Sequence, residues 1–105
     1  MASATNYIAL NTTYIDVSKC YIKLSRYGSV VLATANTLYT KINVPSRTSF
    51  GTIPSGYRPR DTTYAIINDA DNLHWYALFY HNGYIMANTA LPANTSYWFS
   101  TCWVI

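Results

Sequence analysis

The chain has 105 residues, of which 50% are hydrophobic and only 10% are charged, and its formal net charge is +3. This length allows one domain with a modest core. Its seven basic residues are too scattered for the dense patch that nucleic-acid binding requires. No run approaches the ~20 apolar residues of a membrane-spanning helix, and the first residues lack the pattern of a signal peptide. We therefore expect no nucleic-acid partner and no membrane insertion.

The composition favours strands over helices. The chain contains eleven tyrosines and many Thr, Ser and Asn residues, but neither Glu nor Gln. Glu and Gln are good helix formers, whereas Thr, Tyr and Val favour strands. An all-β domain is therefore expected, and the combination of few charges with many aromatic rings favours a buried interface between subunits.

The first half of the chain predicts one hairpin and one further strand. Residues 1–12 are small and polar, and residues 1–18 are expected to form a tail or linker with a first short strand ahead of a domain at 19–105. Alternating apolar and polar residues predict paired strands over 20–26 and 29–34. A third alternating run predicts a strand over 38–44.

The segment GTIPSGYRPR at 51–60 is predicted to be a rigid connection between strands. Pro54 and Pro59 cannot donate to a sheet ladder, and Gly56 is free to take a positive φ in a turn. The connection carries three side chains suited to ligand contact: Tyr57, Arg58 and Arg60.

The second half predicts a strand over 62–68, a turn over 69–72 and a hairpin. The predicted hairpin strands, 74–81 and 84–87, flank Asn82-Gly83, which is the strongest hairpin signal in the chain. Taken along the whole chain, the short predicted strands and their regularly spaced turns predict an antiparallel β-sandwich or jelly roll.

A final strand is predicted over 97–105. Both of its faces carry apolar residues, so it is expected to be covered on both sides. Trp98 and Trp103 lie in this strand and are expected in the core or at a subunit interface.

The groups that acid–base catalysis needs are scarce. The chain has four carboxylates, and the only close pair, Asp69 and Asp71, shares a short polar loop with Asn72. We expect a turn or hydroxyl-binding role for this pair rather than the two-carboxylate chemistry of glycoside hydrolysis. The sequence therefore predicts a protein without enzymatic activity.

Metal and cofactor sites are not expected either. His74 and His81 lie seven residues apart, on opposite faces of a regular strand, so they do not converge on one ion. Cys20 and Cys102 have no metal-binding spacing and are expected to be small buried side chains.

Side chains suited to saccharides are, by contrast, abundant. Aromatic rings cover the apolar faces of sugars, while Asp, Asn, His and Arg side chains hydrogen-bond hydroxyl groups. Two segments combine these types. The candidate saccharide-binding residues are Asp69, Asp71, Asn72, His74 and Trp75 in one segment, and Tyr57, Arg58 and Arg60 in the other.

Each candidate also has a structural interpretation. Trp75 is at least as well suited to the core as to a ligand platform. Asp69, Asp71 and Asn72 are suited to closing a turn, and Arg58 is suited to bridging to a neighbouring loop.

Four segments follow one another over about residues 19–105: CYIKLSRYGSVVLA, GTIPSGYRPR, FYHNGYIMA and SYWFSTCWVI. In this order they resemble the C-terminal head domains of phage baseplate and tail receptor-binding proteins, especially those of phages that infect Gram-positive bacteria. The IPSGYRP run is the most specific part of the resemblance. It supports the fold more than the site, because the saccharide residues of such heads lie outside this motif.

The resemblance implies a β-sandwich head that forms a homotrimer on a virion tail or baseplate. It implies contact with other baseplate or tail proteins through the N-terminus, and non-catalytic recognition of a host cell-wall saccharide near the clefts between protomers. Three alternatives stay open: a structural trimeric virion module without a ligand, a bacterial lectin-like module, and a fragment of a polysaccharide-degrading tailspike.

Overall fold

The computed structural model describes residues 3–18, 20–69 and 74–105. These residues form nine strands: β1 (Ser3–Tyr7), β2 (Ala9–Leu10), β3 (Lys23–Tyr27), β4 (Val30–Tyr39), β5 (Ser49–Thr52), β6 (Thr63–Asp69), β7 (His74–Phe79), β8 (Tyr84–Ala87) and β9 (Ser96–Val104). Within these ranges the structure holds no helix of the length and apolarity that a membrane crossing requires.

The strands form one antiparallel sheet in the order β1-β3-β4-β9-β6-β7-β8-β5-β2. The edge strands β1 and β2 are separated in the chain only by Ile8, which is buried and donates its N–H to the Ile22 carbonyl at 3.1 Å. One segment therefore pairs with β3 on one side and β5 on the other, which nearly closes the sheet.

The nearly closed sheet has its shortest pairing within the second half of the chain where β9 meets β6. β9 pairs with β4 along its length but with β6 only through Asn68 and Asp69. The predicted all-β, antiparallel, sandwich-like fold is confirmed.

Alternating side chains of the strands fill the space between the layers. The core contains large buried rings, including Phe50, Phe79 and Tyr97. The Phe79 ring lies 5.7 Å from that of Phe99 and 5.1 Å from that of Trp103, measured between ring centroids. Such ring pairs add to the stabilisation from burial.

The first described residues of the chain pair with strands at both ends of the sheet order. Ser3–Tyr7 pairs with β3, Ala9–Leu10 pairs with β5, and both Ile8 and Ile15 are fully or almost fully buried. Residues 3–10 complete the sheet through backbone hydrogen bonds, which do not require an apolar sequence pattern. Residues 3–10 are therefore part of the sheet, and the short strand expected near the beginning of the chain is present as β1.

The first hairpin is confirmed, whereas a separate strand over 38–44 is wrong. β3 and β4 meet at Gly28, which has a φ of 64°. β4 passes through a register shift between Ala35 and Leu38 and ends at Tyr39, so only the first two residues of the predicted 38–44 run lie in a strand, as the end of the bulged β4. Beyond it, Thr40 forms only an isolated bridge.

The hairpin at Asn82-Gly83 is also confirmed, although β7 ends at Phe79 and not at His81. The Tyr80 carbonyl accepts the Gly83 N–H at 2.9 Å, and the Tyr80 N–H donates to the Tyr84 carbonyl at 3.0 Å. Gly83 has a φ of 98°, which only glycine adopts readily.

The GTIPSGYRPR connection begins with a strand that the sequence did not predict. Gly51 is buried within β5, and a Cβ atom there would lie only 3.0 Å from the Cγ2 atom of Ile8. Because glycine has no Cβ atom, β5 can lie close to the Ile8 side chain at this point. Pro54 and Pro59 lie outside the strands, as predicted, and Gly56 has a positive φ of 90°.

The two cysteines have different environments and are not joined to each other. Cys20 is buried, as expected, and burial raises the pKa of its thiol. Cys102 is exposed on the outer face of β9, so its predicted burial is wrong within a single chain.

Candidate functional site

The predicted site in the loop after β6 falls mostly outside the described residues. Asp71 and Asn72 lie in the undescribed range 70–73, and only the backbones of His74 and Trp75 are described, paired with Asn68 and Ile67. The side chains of His74 and Trp75 also lie outside the described part.

Asp69 is described, and it faces the interior. Only 4% of its surface is exposed, and its strand position pairs with Tyr97. Burial raises the pKa of the Tyr97 hydroxyl, a hydrogen bond with Thr95 partly opposes this, and the charge of Asp69 adds to the increase. The Asp69 carboxyl therefore belongs to the interior around Tyr97 and not to an open surface.

The residues of the second predicted cluster, in the GTIPSGYRPR connection, form hydrogen bonds within the connection and to the last strand. The Tyr57 carbonyl accepts the Trp103 Nε1–H at 2.7 Å. Arg58 donates from Nε to the Ile53 carbonyl at 2.9 Å. Arg60 donates its backbone N–H to the Val104 carbonyl at 2.8 Å and its Nη2 to the Ile105 carbonyl at 3.2 Å.

Asp69 and the second predicted cluster lie at opposite ends of β6 within one protomer. The connection leads into the start of β6, whereas Asp69 is its last residue. A seven-residue strand separates its ends by about 20 Å. The described residues of these clusters therefore do not form one binding wall in a single chain.

An open groove lies elsewhere, on the outer face of β6, β7 and β8. Its volume is about 460 Å³. It is lined by Arg47, Thr62, Tyr64, Tyr76, Leu78, Tyr80 and Asn88, and we call it the tyrosine groove.

Strand alternation creates the aromatic walls of the tyrosine groove. Tyr64 pairs with Leu78, and Tyr76 pairs with Ile66, so the two tyrosines are diagonal neighbours on one face. Such neighbours lie about 7–8 Å apart. Tyr64 is 64% exposed and Tyr76 is 50% exposed, whereas Leu78 is only 8% exposed and forms an apolar floor.

Polar groups complete the groove. Asn88 accepts the Tyr76 N–H with Oδ1 at 3.1 Å and donates its own N–H to the Tyr76 carbonyl at 3.0 Å. No described residue accepts a hydrogen bond from its Nδ2 amide, which carries two donor hydrogens. Thr62 adds a hydroxyl group.

Arg47 reaches the groove from a separate turn. Its N–H donates to the Ala87 carbonyl at 2.9 Å, and the Thr48 N–H donates to the Pro45 carbonyl at 3.3 Å. The Arg47 guanidinium makes no hydrogen bond or ion pair with another described residue. The groove therefore offers ring faces, hydrogen-bond donors and one cation.

The described lining of the tyrosine groove provides groups that can bind a ligand. None of these described lining residues is a carboxylate, a histidine or a cysteine, and the described parts of the chain contain no cluster of three or more metal-ligating side chains. Rings above an apolar floor, with donors at the rim, match a ligand that has both C–H faces and oxygen acceptors.

The sequence reasoning missed this groove, although part of its signal was present. Alternation in the predicted 62–68 strand places Tyr64 on the face opposite to Ala65 and Ile67. The proximity of Tyr64 to Tyr76 depends on the register between β6 and β7, and the position of Arg47 depends on the turn before β5. Neither follows from strand alternation.

No protein-family model matches the chain, and comparison with curated proteins finds no similar protein. The fold and the tyrosine groove define a class, which is an all-β sandwich-like domain with an aromatic surface site. The resemblance to phage receptor-binding heads remains an expectation from the sequence segments.

Proposed function

We propose that this chain is a non-catalytic receptor-binding head of a phage tail or baseplate, which adheres to the host by binding a cell-wall saccharide in the tyrosine groove. The phage setting comes from the resemblance, and it includes attachment to other tail or baseplate proteins through the N-terminal end. The observation that supports saccharide binding is the tyrosine groove.

Stacking is the central interaction in this proposal. Sugar C–H groups pack on the exposed faces of Tyr64 and Tyr76, while Asn88 and Thr62 donate to hydroxyl oxygens. Because the walls stand on paired strands, the groove is preformed and little ordering is required on binding.

Truncation of either wall should weaken binding. Tyr64→Ala and Tyr76→Ala are each expected to lower affinity for the bound polysaccharide by about tenfold or more. Both rings are at least half exposed, so the free energy of unfolding should change by only about 0.5 kcal/mol. Affinity is measured against a panel of bacterial cell-wall polysaccharides.

Tyr21→Ala is the matched control, because Tyr21 is similarly exposed and does not line the groove. Undiminished binding by both groove variants would contradict the site. A wild-type chain that binds no polysaccharide would favour the structural virion module, and release of reducing ends would favour the tailspike alternative.

The proposal includes a homotrimer, and the outer face of β4 and β9 is suited to the contact. Val30 pairs with Val104, and Leu32 pairs with Cys102. All four residues are exposed and uncharged, and β9 is covered on only one side in a single chain. We call these four residues the valine–leucine face and propose that copies of the chain meet there.

Leu32→Lys should convert the trimer to monomers, because burying an unpaired ammonium at an apolar interface costs several kcal/mol. Mass by light scattering is the measurement. Ile42→Lys is the control, because Ile42 is also exposed but lies outside the valine–leucine face, and it should keep the threefold mass. A monomeric wild type, or a Leu32→Lys variant that stays trimeric, would contradict the proposal.

A further inference from the structure

We infer that the tyrosine groove selects an anionic saccharide, one that carries a carboxylate or a phosphate, and that Arg47 recognises its charge. The inference rests on the proposed function, because it names the chemical class of the ligand for the same groove.

The first argument is the charge of the groove. Among the described residues that line the groove, Arg47 is the only charged one. Of the four carboxylates in the chain, Asp69 is buried, Asp61 lines a different depression, and Asp16 accepts a hydrogen bond from a nearby serine. Asp71 lies outside the described residues. Among the described residues, none supplies a carboxylate to the Arg47 guanidinium.

A guanidinium without an internal partner is a strong recognition group. It offers five N–H donors in a planar fork, which matches the two oxygens of a carboxylate or the oxygens of a phosphate. Hydrogen bonds between charged partners are about twice as strong as those between neutral groups. A neutral sugar has no charged oxygens, so it would leave most of these N–H donors without a charged acceptor.

The second argument is the backbone of Arg47. Its φ is 59°, in the left-handed region that favours glycine. The hydrogen bond from Thr48 to Pro45 places Arg47 at the third position of a four-residue turn, where a positive φ is ordinarily supplied by glycine. The turn alone does not favour arginine. Strained residues of this kind cluster at ligand-binding sites.

The third argument is how the charge and the rings are combined. Tyr64 and Tyr76 line the same groove as Arg47, so a sugar ring stacked on the tyrosines can place an acidic substituent against the guanidinium. The Asn88 amide and the Thr62 hydroxyl can then hydrogen-bond the neutral hydroxyl groups of the sugar. The site is open to solvent, so the contribution of the charge should decrease as the salt concentration rises.

The test uses three probes that share one pyranose ring: glucose, glucuronate and glucose 6-phosphate. Each is titrated into the full chain while the ring-proton NMR signals of Tyr64 and Tyr76 are followed. At low salt, at least one anion should shift these signals at about tenfold lower concentration than glucose does. The anion that binds more tightly distinguishes a carboxylate ligand from a phosphate ligand.

Two variants assign the preference to Arg47. Arg47→Gly should bind all three probes with the affinity of glucose, and its stability should be unchanged or higher because glycine adopts the positive φ without strain. Arg47→Lys should keep part of the preference, because lysine retains the charge but not the bidentate geometry.

Three outcomes would overturn the inference. The first is equal binding of glucose and both anions by the wild type, and the second is an unchanged anion preference in Arg47→Gly. The third is the absence of any shift of the Tyr64 and Tyr76 signals with all three probes. If a neutral polysaccharide still binds through Tyr64 and Tyr76, the proposed function stands while the anionic ligand class is rejected.

Discussion

Replacement of Trp103 with alanine should lower the free energy of unfolding by about 4 kcal/mol. Trp103 is only 5% exposed and packs with its ring 5.1 Å from that of Phe79. Its indole N–H also donates to the Tyr57 carbonyl at 2.7 Å. The substitution therefore removes a large core side chain and the hydrogen bond that fastens the GTIPSGYRPR connection to β9. Urea denaturation followed by circular dichroism measures the change.

Two control variants separate these contributions. Trp103→Phe keeps an aromatic ring but leaves the Tyr57 carbonyl without its indole donor, and should cost about 2 kcal/mol. Trp98→Ala truncates the same residue type on the same strand at a position that is 41% exposed, and should cost about 1 kcal/mol or less. All variants are compared at equal protein concentration. A loss in Trp103→Ala no greater than that in Trp98→Ala would show that Trp103 does not anchor the core.

Much of the fold could be predicted because its signals are local. Alternation in β3 and β6 separated the two faces correctly, as with Ala65, which is buried, and Tyr64, which is exposed. The expectation that β9 is covered on both sides is wrong within a single chain, because Trp98 and Val104 are exposed. Gly28 and Gly83 marked two hairpins because tight turns between paired strands need a positive φ.

The bounds and partners of the first strands could not be predicted because their stability comes from distant parts of the chain. The sequence of β1 is polar, and the strand forms because β3 supplies backbone hydrogen bonds while Ile8 fills the corner. Likewise, the bulge in β4 depends on its pairing with β9, which lies about sixty residues later in the chain.

The candidate site was harder to predict than the fold, because its residues come from distant parts of the chain. The clustered polar and aromatic residues of the 69–76 segment favoured that segment, and Asp69 was expected in a turn. β6 in fact continues to Asp69, which places its side chain on the same face as the buried Ile67. The tyrosine groove instead combines residues from β6, β7, the end of β8 and the turn before β5. Only the register brings these residues together.

Replacement of Gly83 with alanine should lower the free energy of unfolding by about 3 kcal/mol. The φ of 98° is unfavourable for any residue with a Cβ atom. An added Cβ would also lie 2.6 Å from the Nε atom and 2.8 Å from the Cζ atom of Arg58. Because that Nε donates to the Ile53 carbonyl at 2.9 Å, Arg58 cannot move away without breaking a hydrogen bond. Urea denaturation again provides the measurement.

Gly28→Ala is the matched control, because Gly28 also has a positive φ, of 64°, but no atom lies within 4 Å of an added Cβ. It should cost about 1 kcal/mol from the backbone alone. The difference between the two variants therefore measures the contact with Arg58. Equal losses of the free energy of unfolding in Gly83→Ala and Gly28→Ala would contradict the close contact between Arg58 and the hairpin.

A double-mutant cycle with Arg58→Ala assigns the role of this arginine. If this contact is correct, Gly83→Ala in the Arg58→Ala background should lower the free energy of unfolding only as much as Gly28→Ala does. The Arg58 atoms that the new Cβ would overlap are then gone. The hairpin that Arg58 holds carries Tyr80 at the rim of the tyrosine groove. Arg58→Ala should therefore weaken saccharide binding less than Tyr64→Ala does, because Arg58 positions the hairpin and the tyrosines contact the sugar. A stronger loss of binding in Arg58→Ala, with an unchanged free energy of unfolding, would instead place Arg58 in contact with the ligand.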